Sequence, residues 1–173
     1  YVTNNAGEQT YEFTENGTFV FQFTDPEGNT GSATAEVTWI DKEAPTGTIT
    51  YSTTSPTNQP VTATLAASDN SGEITITSGS DTHIFDENGT HTFTFEDEAG
   101  NTTTMVASVS WIDKQAPTGQ ITYSITEATN QSVTATLQTD DNLGPVTIQG
   151  GEDTYVFENN GQHTFHFYDG AGN

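Results

Sequence analysis

An internal repeat constrains the fold of this chain more than any other feature of its sequence. The segments "DPEGN", "DEAGN" and "DGAGN" begin at Asp25, Asp97 and Asp169, so that consecutive copies are separated by the same interval. The segment "WIDKEAP" begins at Trp39 and returns as "WIDKQAP" at Trp111, in the same register. No insertion or deletion separates the copies, so each repeat is expected to form the same structural unit.

This register divides the chain into three parts. Residues 43–114 form one complete repeat, residues 1–42 correspond to the C-terminal part of the preceding repeat, and residues 115–173 correspond to a repeat without its last strand. The two incomplete parts together are longer than one repeat, so they are not the halves of a single split unit. We therefore interpret the chain as a window from a longer tandem array.

Short runs of alternating apolar and polar residues fill the complete repeat. The runs are "TGTITYS", "VTATLAAS", "EITITS", "THIF", "HTFTFED" and "TTMVASVSW", separated by clusters of Gly, Asn, Asp or Pro. Alternation at period two, interrupted often by turn signals, predicts an all-β antiparallel sandwich. Paired phenylalanines at equivalent positions are expected to face the core: Phe21 and Phe23, Phe93 and Phe95, Phe165 and Phe167.

The chain is strongly acidic, with 24 Asp and Glu against 2 Lys and Arg and a net charge of -22. Such a charge repels phosphate backbones and anionic lipid head groups, so we expect neither nucleic-acid binding nor membrane insertion. Cations are the natural counter-partners. The absence of Cys excludes disulfides and thiol chemistry within this chain, and no apolar run approaches the roughly 20 residues of a membrane-spanning helix.

The order of motifs in the complete repeat points to a family. The segments "ASDNSG", "ENGTHTFTFEDEAGNT" and "WIDKQAPTG", in this order, resemble the bacterial immunoglobulin-like repeats of Gram-positive surface proteins, S-layer-associated proteins and large adhesins. The resemblance covers the whole chain. It implies tandem immunoglobulin-like sandwiches of about seven strands each, with a spacer or load-bearing role at the cell surface. The short segment between Thr77 and Glu87 leaves little room for additional strands.

Aspartates recur in three segments of each repeat: the linker, the loop after the second strand, and the last hairpin. In an immunoglobulin-like sandwich these segments meet at the pole where the chain enters the repeat. Several carboxylates together with amide oxygens form the hard oxygen shell that Ca²⁺ prefers. The sequence therefore predicts two calcium sites, one at Asp41, Asp69, Asn70, Asp97 and Asn101, the other at Asp113, Asp140, Asp141, Asn142, Asp169 and Asn173.

Other interpretations of these residues stay open at this point. Asp-x-x-Gly-Asn is also a good hairpin turn, and each loop taken alone could be only a turn. The four histidines, His83, His91, His163 and His166, do not recur as a set, so exposed strand positions are expected rather than zinc ligands. No "GxSxG" segment and no His pair with a nucleophile is present, so we do not expect an enzyme.

Three functions are compatible with the sequence. The first is an extracellular spacer whose joints between neighbouring repeats are stiffened by Ca²⁺. The second is an adhesive module that binds a glycan or a host-surface protein through exposed Tyr and Thr faces, for instance around Tyr51, Tyr123 and Tyr155. The third is a surface filament in which an unpaired strand edge accepts a strand from another copy of the chain. The sequence assigns no clear role to Lys42 and Lys114.

Overall fold

β-Strands and turns account for nearly all regular structure in the computed structural model, which describes residues 1–173. A single turn of 3₁₀ helix at Asn5–Gly7 is the only helical element. None of the chain is a helix with the length and apolar character needed to cross a membrane. The prediction of an all-β fold with antiparallel sheets is confirmed.

The first part of the chain forms a hairpin. Strand β1 (Gly17–Thr24) pairs antiparallel with β2 (Thr30–Val37) along its whole length. The turn between them begins at Asp25, and Gly28 adopts a φ of +89° there. A side chain at this φ would be strained, which explains why the fourth position of the turn is Gly.

The complete repeat contains six strands, one for each of the runs identified in the sequence. These are β3 (Thr46–Tyr51), β4 (Val61–Ser68), β5 (Thr75–Ile76), β6 (Thr82–Phe85), β7 (Gly89–Glu96) and β8 (Thr102–Val109). They form two three-stranded sheets, with the orders β3-β4-β6 and β5-β7-β8. The run "EITITS" contributes only the two residues of β5, so its outer residues belong to loops.

The third part follows the same order of strands. It contains β9 (Thr118–Tyr123), β10 (Val133–Asp140), β11 (Thr147–Ile148), β12 (Thr154–Phe157) and β13 (Phe167–Tyr168). Strand β10 pairs antiparallel with both β9 and β12, and β11 pairs antiparallel with β13.

The buried apolar side chains come from alternate positions of the strands. Phe93 and Phe95 on β7 are fully buried, as the period-two pattern predicts. Phe23, at the position equivalent to Phe95, is 42% exposed. Further buried residues in the complete repeat are Val61, Ala63, Leu65, Phe85, Ala107, Val109 and Ile112.

The last strand of each repeat ends before the "WI" of the linker. Strands β2 and β8 end at Val37 and Val109, so Ser110 and Trp111, the last two residues of the run "TTMVASVSW", lie outside β8. Trp111 instead leaves the ladder, donates its indole N–H to the carbonyl of Thr53 at 3.1 Å and packs edge-on against Tyr51. The backbone after β8 then runs beside Thr57, whose amide donates to the carbonyl of Trp111.

The chain divides into two compact units. The first comprises Tyr1–Gly47, Ala67–Thr77 and Thr94–Thr103, and the second comprises Thr48–Ala66, Ser78–Phe93 and Thr104–Asn173. All residues of the first predicted calcium site belong to the first unit, and all residues of the second site belong to the second unit.

Stacked rings occupy one position in each part of the chain. His83 and His91 stack with centroids 3.8 Å apart and planes inclined by 7°, and Tyr155 stacks on His163 in the same way. Both His83 and His91 are half-buried rather than exposed, which corrects the expectation from the sequence. Burial and the adjacent His83 ring lower the pKa of His91 below its ordinary value of 6.5, since both disfavour the charged imidazolium.

We predict that this pair makes the stability of the chain depend on pH. Because the pKa of His91 is lower in the folded state than in the unfolded state, its contribution is complete above pH 6.5 and is lost as the pH falls below it. The variant His91→Phe copies Phe19, which stacks on Tyr11 at the equivalent position of the first part. Urea denaturation at pH 7.5 and 5.5 should show a smaller loss of stability in the variant than in the parent; equal losses would contradict the prediction.

Candidate metal centre

The hairpin aspartate of each site is held by the turn that follows it. Asp97 accepts hydrogen bonds from the backbone amide of Asn101 at 2.8 Å and from its side-chain amide at 2.9 Å. Asp169 accepts the same two bonds from Asn173, at 2.8 and 2.7 Å. The motif Asp-x-x-Gly-Asn therefore is a turn, as the simpler interpretation held, and it also fixes the orientation of a buried carboxylate.

The linker aspartate is oriented by the backbone two residues further on. One oxygen of Asp41 accepts the amide of Glu43 at 3.0 Å, and one oxygen of Asp113 accepts the amide of Gln115 at 2.9 Å. Such a short-range bond is an Asx turn, which forms readily before an extended segment such as the Ala-Pro that follows. The second oxygen of each linker aspartate takes no part in this turn: Asp41 Oδ2 accepts the hydroxyl of Ser71, and Asp113 Oδ2 has no hydrogen-bond partner.

The loop aspartate forms an Asx turn of the same kind. Asp69 accepts the amide of Ser71 at 2.9 Å, and Asp141 accepts the amide of Leu143 at 2.9 Å. The three turns of each site are local structures that the sequence specifies directly, and each one presents a carboxylate.

These turns bring three carboxylates together twice. Asp41, Asp69 and Asp97 each offer an oxygen within 4.8 Å of the others, and so do Asp113, Asp141 and Asp169. We call the two groups the first cluster and the second cluster. Asp97, Asp113 and Asp169 are buried, at 4%, 3% and 2% exposure, while the other three members are half-buried. The six aspartates of the two clusters are among the eleven residues predicted as ligands.

The predicted asparagines surround the clusters. The side-chain amide of Asn101 donates to the carbonyl of Asp41 at 3.3 Å, and that of Asn173 donates to the carbonyl of Asp113 at 2.9 Å. Each of them thus joins the last hairpin to the linker backbone. Asn142 donates to the Asp113 carboxylate at 3.3 Å, whereas Asn70 donates to Glu43 at 2.9 Å.

Asp140 does not join the second cluster. It is the last residue of β10, its side chain is exposed, and its carbonyl accepts the hydroxyl of Thr118 at 3.2 Å. The sequence predicted both Asp140 and Asp141 as ligands because they are adjacent in the same predicted loop. The strand pattern separates them, since consecutive side chains at a strand end point in opposite directions.

The buried hairpin carboxylates are ionised at neutral pH. Burial raises the pKa of Asp97, but the hydrogen bonds from the Asn101 side chain and from the amides of Asn101, Gly100 and Ala99 outweigh it and lower the pKa below 3.8. Asp169 has a lowered pKa with the same opposing causes, burial first and then the bonds from Asn173, Gly172 and Ala171. Each cluster is therefore a concentration of negative charge.

Two carboxylate oxygens in the second cluster have no hydrogen-bond partner although they are buried. They are Oδ2 of Asp113 and Oδ1 of Asp141. An unpaired buried polar atom normally costs about 1–3 kcal/mol, and more when the group is charged. Such atoms, next to a third carboxylate, are the arrangement that a divalent cation compensates.

The donor set fits Ca²⁺. Every candidate ligand atom is a carboxylate oxygen, a hard donor, and neither cluster contains a His or Cys that would favour zinc. The donors come from a linker and two loops, and such a set tolerates the irregular shell of Ca²⁺ better than the strict octahedron of Mg²⁺.

Three residues with a role at the sites were not identified from the sequence: Asn16 and Asn88, which are equivalent, and Ser71. The Asn of "ENGT" forms two hydrogen bonds with the residue before each linker aspartate: Asn88 binds the carbonyl and the amide of Ile112, both at 2.8 Å, and Asn16 does the same for Ile40. The recurrence of this Asn at the repeat interval was the available signal. The third residue is Ser71, whose hydroxyl donates toward Asp41 and Asp69.

The tyrosines of the adhesive hypothesis do not share one environment. The hydroxyl of Tyr51 accepts the amide of Ser108 at 3.0 Å, and its ring packs against Trp111. Tyr123 and Tyr155 are 53% and 38% exposed. Tyr51 is therefore engaged within the chain, whereas Tyr123 and Tyr155 are more exposed, with the Tyr155 ring stacked on His163.

Comparison of the chain with protein-family models, with curated proteins and with solved structures gives no match.

We predict that Asn88→Ala destabilises the chain by about 2 kcal/mol, because it leaves the partly buried amide and carbonyl of Ile112 without partners. Asn160 occupies the equivalent position in the third part and is exposed like Asn88, but it makes no such bond to the backbone, so Asn160→Ala is the matched control and should change the free energy of unfolding by less than about 0.5 kcal/mol. Urea denaturation of both variants measures the difference. Similar values for the two variants would show that the Asn of "ENGT" does not hold the linker.

Proposed function

We propose that the chain is part of a non-catalytic extracellular spacer, built from tandem immunoglobulin-like sandwich repeats, with Ca²⁺ bound where each linker meets the next repeat. In this proposal residues 43–114 are one full repeat, flanked by the C-terminal part of one repeat and most of another. The observation that carries the proposal is the recurrence of the three-aspartate cluster at the linker, with two buried, unpartnered oxygens in the second copy.

The way the ligands are distributed supports a role in stiffening the joint. Each cluster takes one aspartate from the linker and two from loops of the repeat that follows the linker. A cation that binds all three ties the linker backbone to that repeat. The hydrogen bonds of Asn101 and Asn173 to the linker carbonyls act in the same direction. Rotation about the linker is thereby restricted, and a chain of restricted joints holds its distal end away from its anchor.

The lack of a cation would have the opposite effect. Three carboxylates within 4.8 Å repel one another, and this repulsion is relieved when the linker aspartate moves away. Removal of Ca²⁺ therefore frees the linker carboxylate from the loop carboxylates and loosens the joint, while the strands, which depend on apolar burial, stay folded. The proposed stiffness is a property of the cation-bound chain.

An extracellular location agrees with the chemistry of the sites and with the composition. Extracellular modules bind Ca²⁺ with dissociation constants of about 10⁻⁴–10⁻³ M, so a modest site with three carboxylates is filled there. The net charge of -22 also keeps a long array soluble and separated from anionic surfaces.

We predict that the chain binds two Ca²⁺ ions and that binding raises its melting temperature. At a free Ca²⁺ concentration about 100 times the dissociation constant, each site adds about 2.7 kcal/mol to the free energy of unfolding of the structure that contains it. Isothermal titration calorimetry gives the stoichiometry, and thermal denaturation with Ca²⁺ or with EDTA gives the stabilisation. The absence of heat and of any shift in melting temperature would refute the proposal.

Asp97→Asn and Asp25→Asn form a matched pair for this experiment. Asp25 accepts the same two bonds from Asn29, at 2.8 and 2.7 Å, but belongs to neither cluster. Asp97→Asn should reduce the stoichiometry from two ions to one, whereas Asp25→Asn should leave it at two. If both variants bind two ions, or if both lose one, the first cluster is not the site.

A further inference from the structure

The two clusters differ in the residue that follows the loop "DN". The loop of the first cluster is "DNSG", with Ser71, and the loop of the second cluster is "DNLG", with Leu143, at equivalent positions of the repeat. In both loops the amide of this residue donates to the loop aspartate at 2.9 Å. The clusters also differ at the preceding Asn, because Asn70 donates to Glu43 whereas Asn142 donates to Asp113.

In the first cluster the serine hydroxyl lies between two carboxylates. Ser71 Oγ donates toward Asp41 Oδ2 and lies 3.1 Å from Asp69 Oδ2. A hydroxyl group supplies one donor, which partly compensates the carboxylates when no cation is present. Ser71 is exposed and lines a cleft of about 690 Å³ together with Asp41, Trp39 and Glu98, so water also reaches this cluster.

In the second cluster the leucine supplies no donor. Asp113 is only 3% exposed, and its Oδ2 has no partner, as is also true of Asp141 Oδ1. The oxygen of the first cluster equivalent to Asp113 Oδ2 is Asp41 Oδ2, which is the atom that Ser71 contacts. The unpartnered linker oxygen thus coincides with the exchange of Ser for Leu.

We propose that the side chain at this loop position, Ser71 in the first cluster and Leu143 in the second, sets the Ca²⁺ affinity of its cluster. The second cluster, with Leu143, then binds Ca²⁺ more tightly than the first cluster, with Ser71. This inference rests on the proposed function, because it assumes that both clusters bind Ca²⁺. The expected difference in affinity comes from the contacts that the carboxylates make when no cation is bound. In the first cluster, Ca²⁺ must displace the hydrogen bond from Ser71 and water before it binds the carboxylates. In the second cluster, the two buried oxygens have no hydrogen bond that Ca²⁺ must displace.

The test uses the whole chain carrying Asp97→Asn, which leaves the second cluster as the one intact site. In this background Leu143→Ser introduces the hydroxyl, and Leu143→Ala removes the same packing without introducing it. Calorimetric titration with CaCl₂ should give a dissociation constant about tenfold higher for Leu143→Ser than for Leu143→Ala, since one charge-assisted hydrogen bond is gained in the cation-free state. In EDTA, the Leu143→Ser variant should also have a higher melting temperature than the Leu143→Ala variant.

The outcomes separate this inference from the proposed function. If the Asp97→Asn chain binds no Ca²⁺, the proposed function fails and the inference fails with it. If Ca²⁺ binds but Leu143→Ser binds as tightly as Leu143→Ala or more tightly, the hydroxyl does not compete with the cation, and only the inference is overturned. Weaker binding by Leu143→Ser together with a higher melting temperature in EDTA supports it.

Discussion

Repulsion among three closely held aspartates is the constraint around which each linker region is organised. Their oxygens lie within 4.8 Å of one another, and in each cluster the hairpin member is buried. Carboxylates avoid such an arrangement unless hydrogen bonds or a cation compensate it. Each aspartate is held in place by a local turn, so the turns bring the charges together while the bound ion that we propose would make the arrangement favourable.

The linker motif combines several separate tasks. Asn88 binds both backbone groups of Ile112, the indole of Trp111 is bonded to Thr53, and Asp113 follows directly. In the first linker, Pro45 is buried and its carbonyl accepts the hydroxyl of Thr103 at 2.6 Å. Because Asn16 also binds both backbone groups of Ile40, neutral contacts fix the residues on both sides of Asp41 in the first linker, so a cation would need to order only the carboxylate itself. Such preorganisation lowers the entropic cost of binding.

The sequence predicted the strands, which depend on the period of apolar residues, and the Asp turns, which depend on local chemistry. It did not predict contacts between segments that are distant in the chain. Alternation located all six strands of the complete repeat, and the recurring Asp turns located both clusters. It could not separate Asp140 from Asp141, because that choice depends on where β10 ends. It also missed the contacts of Asn88 with Ile112, which are 24 residues apart and meet only in the folded chain.

A crystal structure of the chain grown with CaCl₂, with anomalous diffraction data to identify calcium, tests the central claim most directly. Our account predicts one calcium ion bound by Asp41, Asp69 and Asp97 and a second bound by Asp113, Asp141 and Asp169, with metal–oxygen distances of about 2.3–2.6 Å. Anomalous density absent from both clusters at millimolar CaCl₂, with the carboxylates turned apart into solvent, would contradict it.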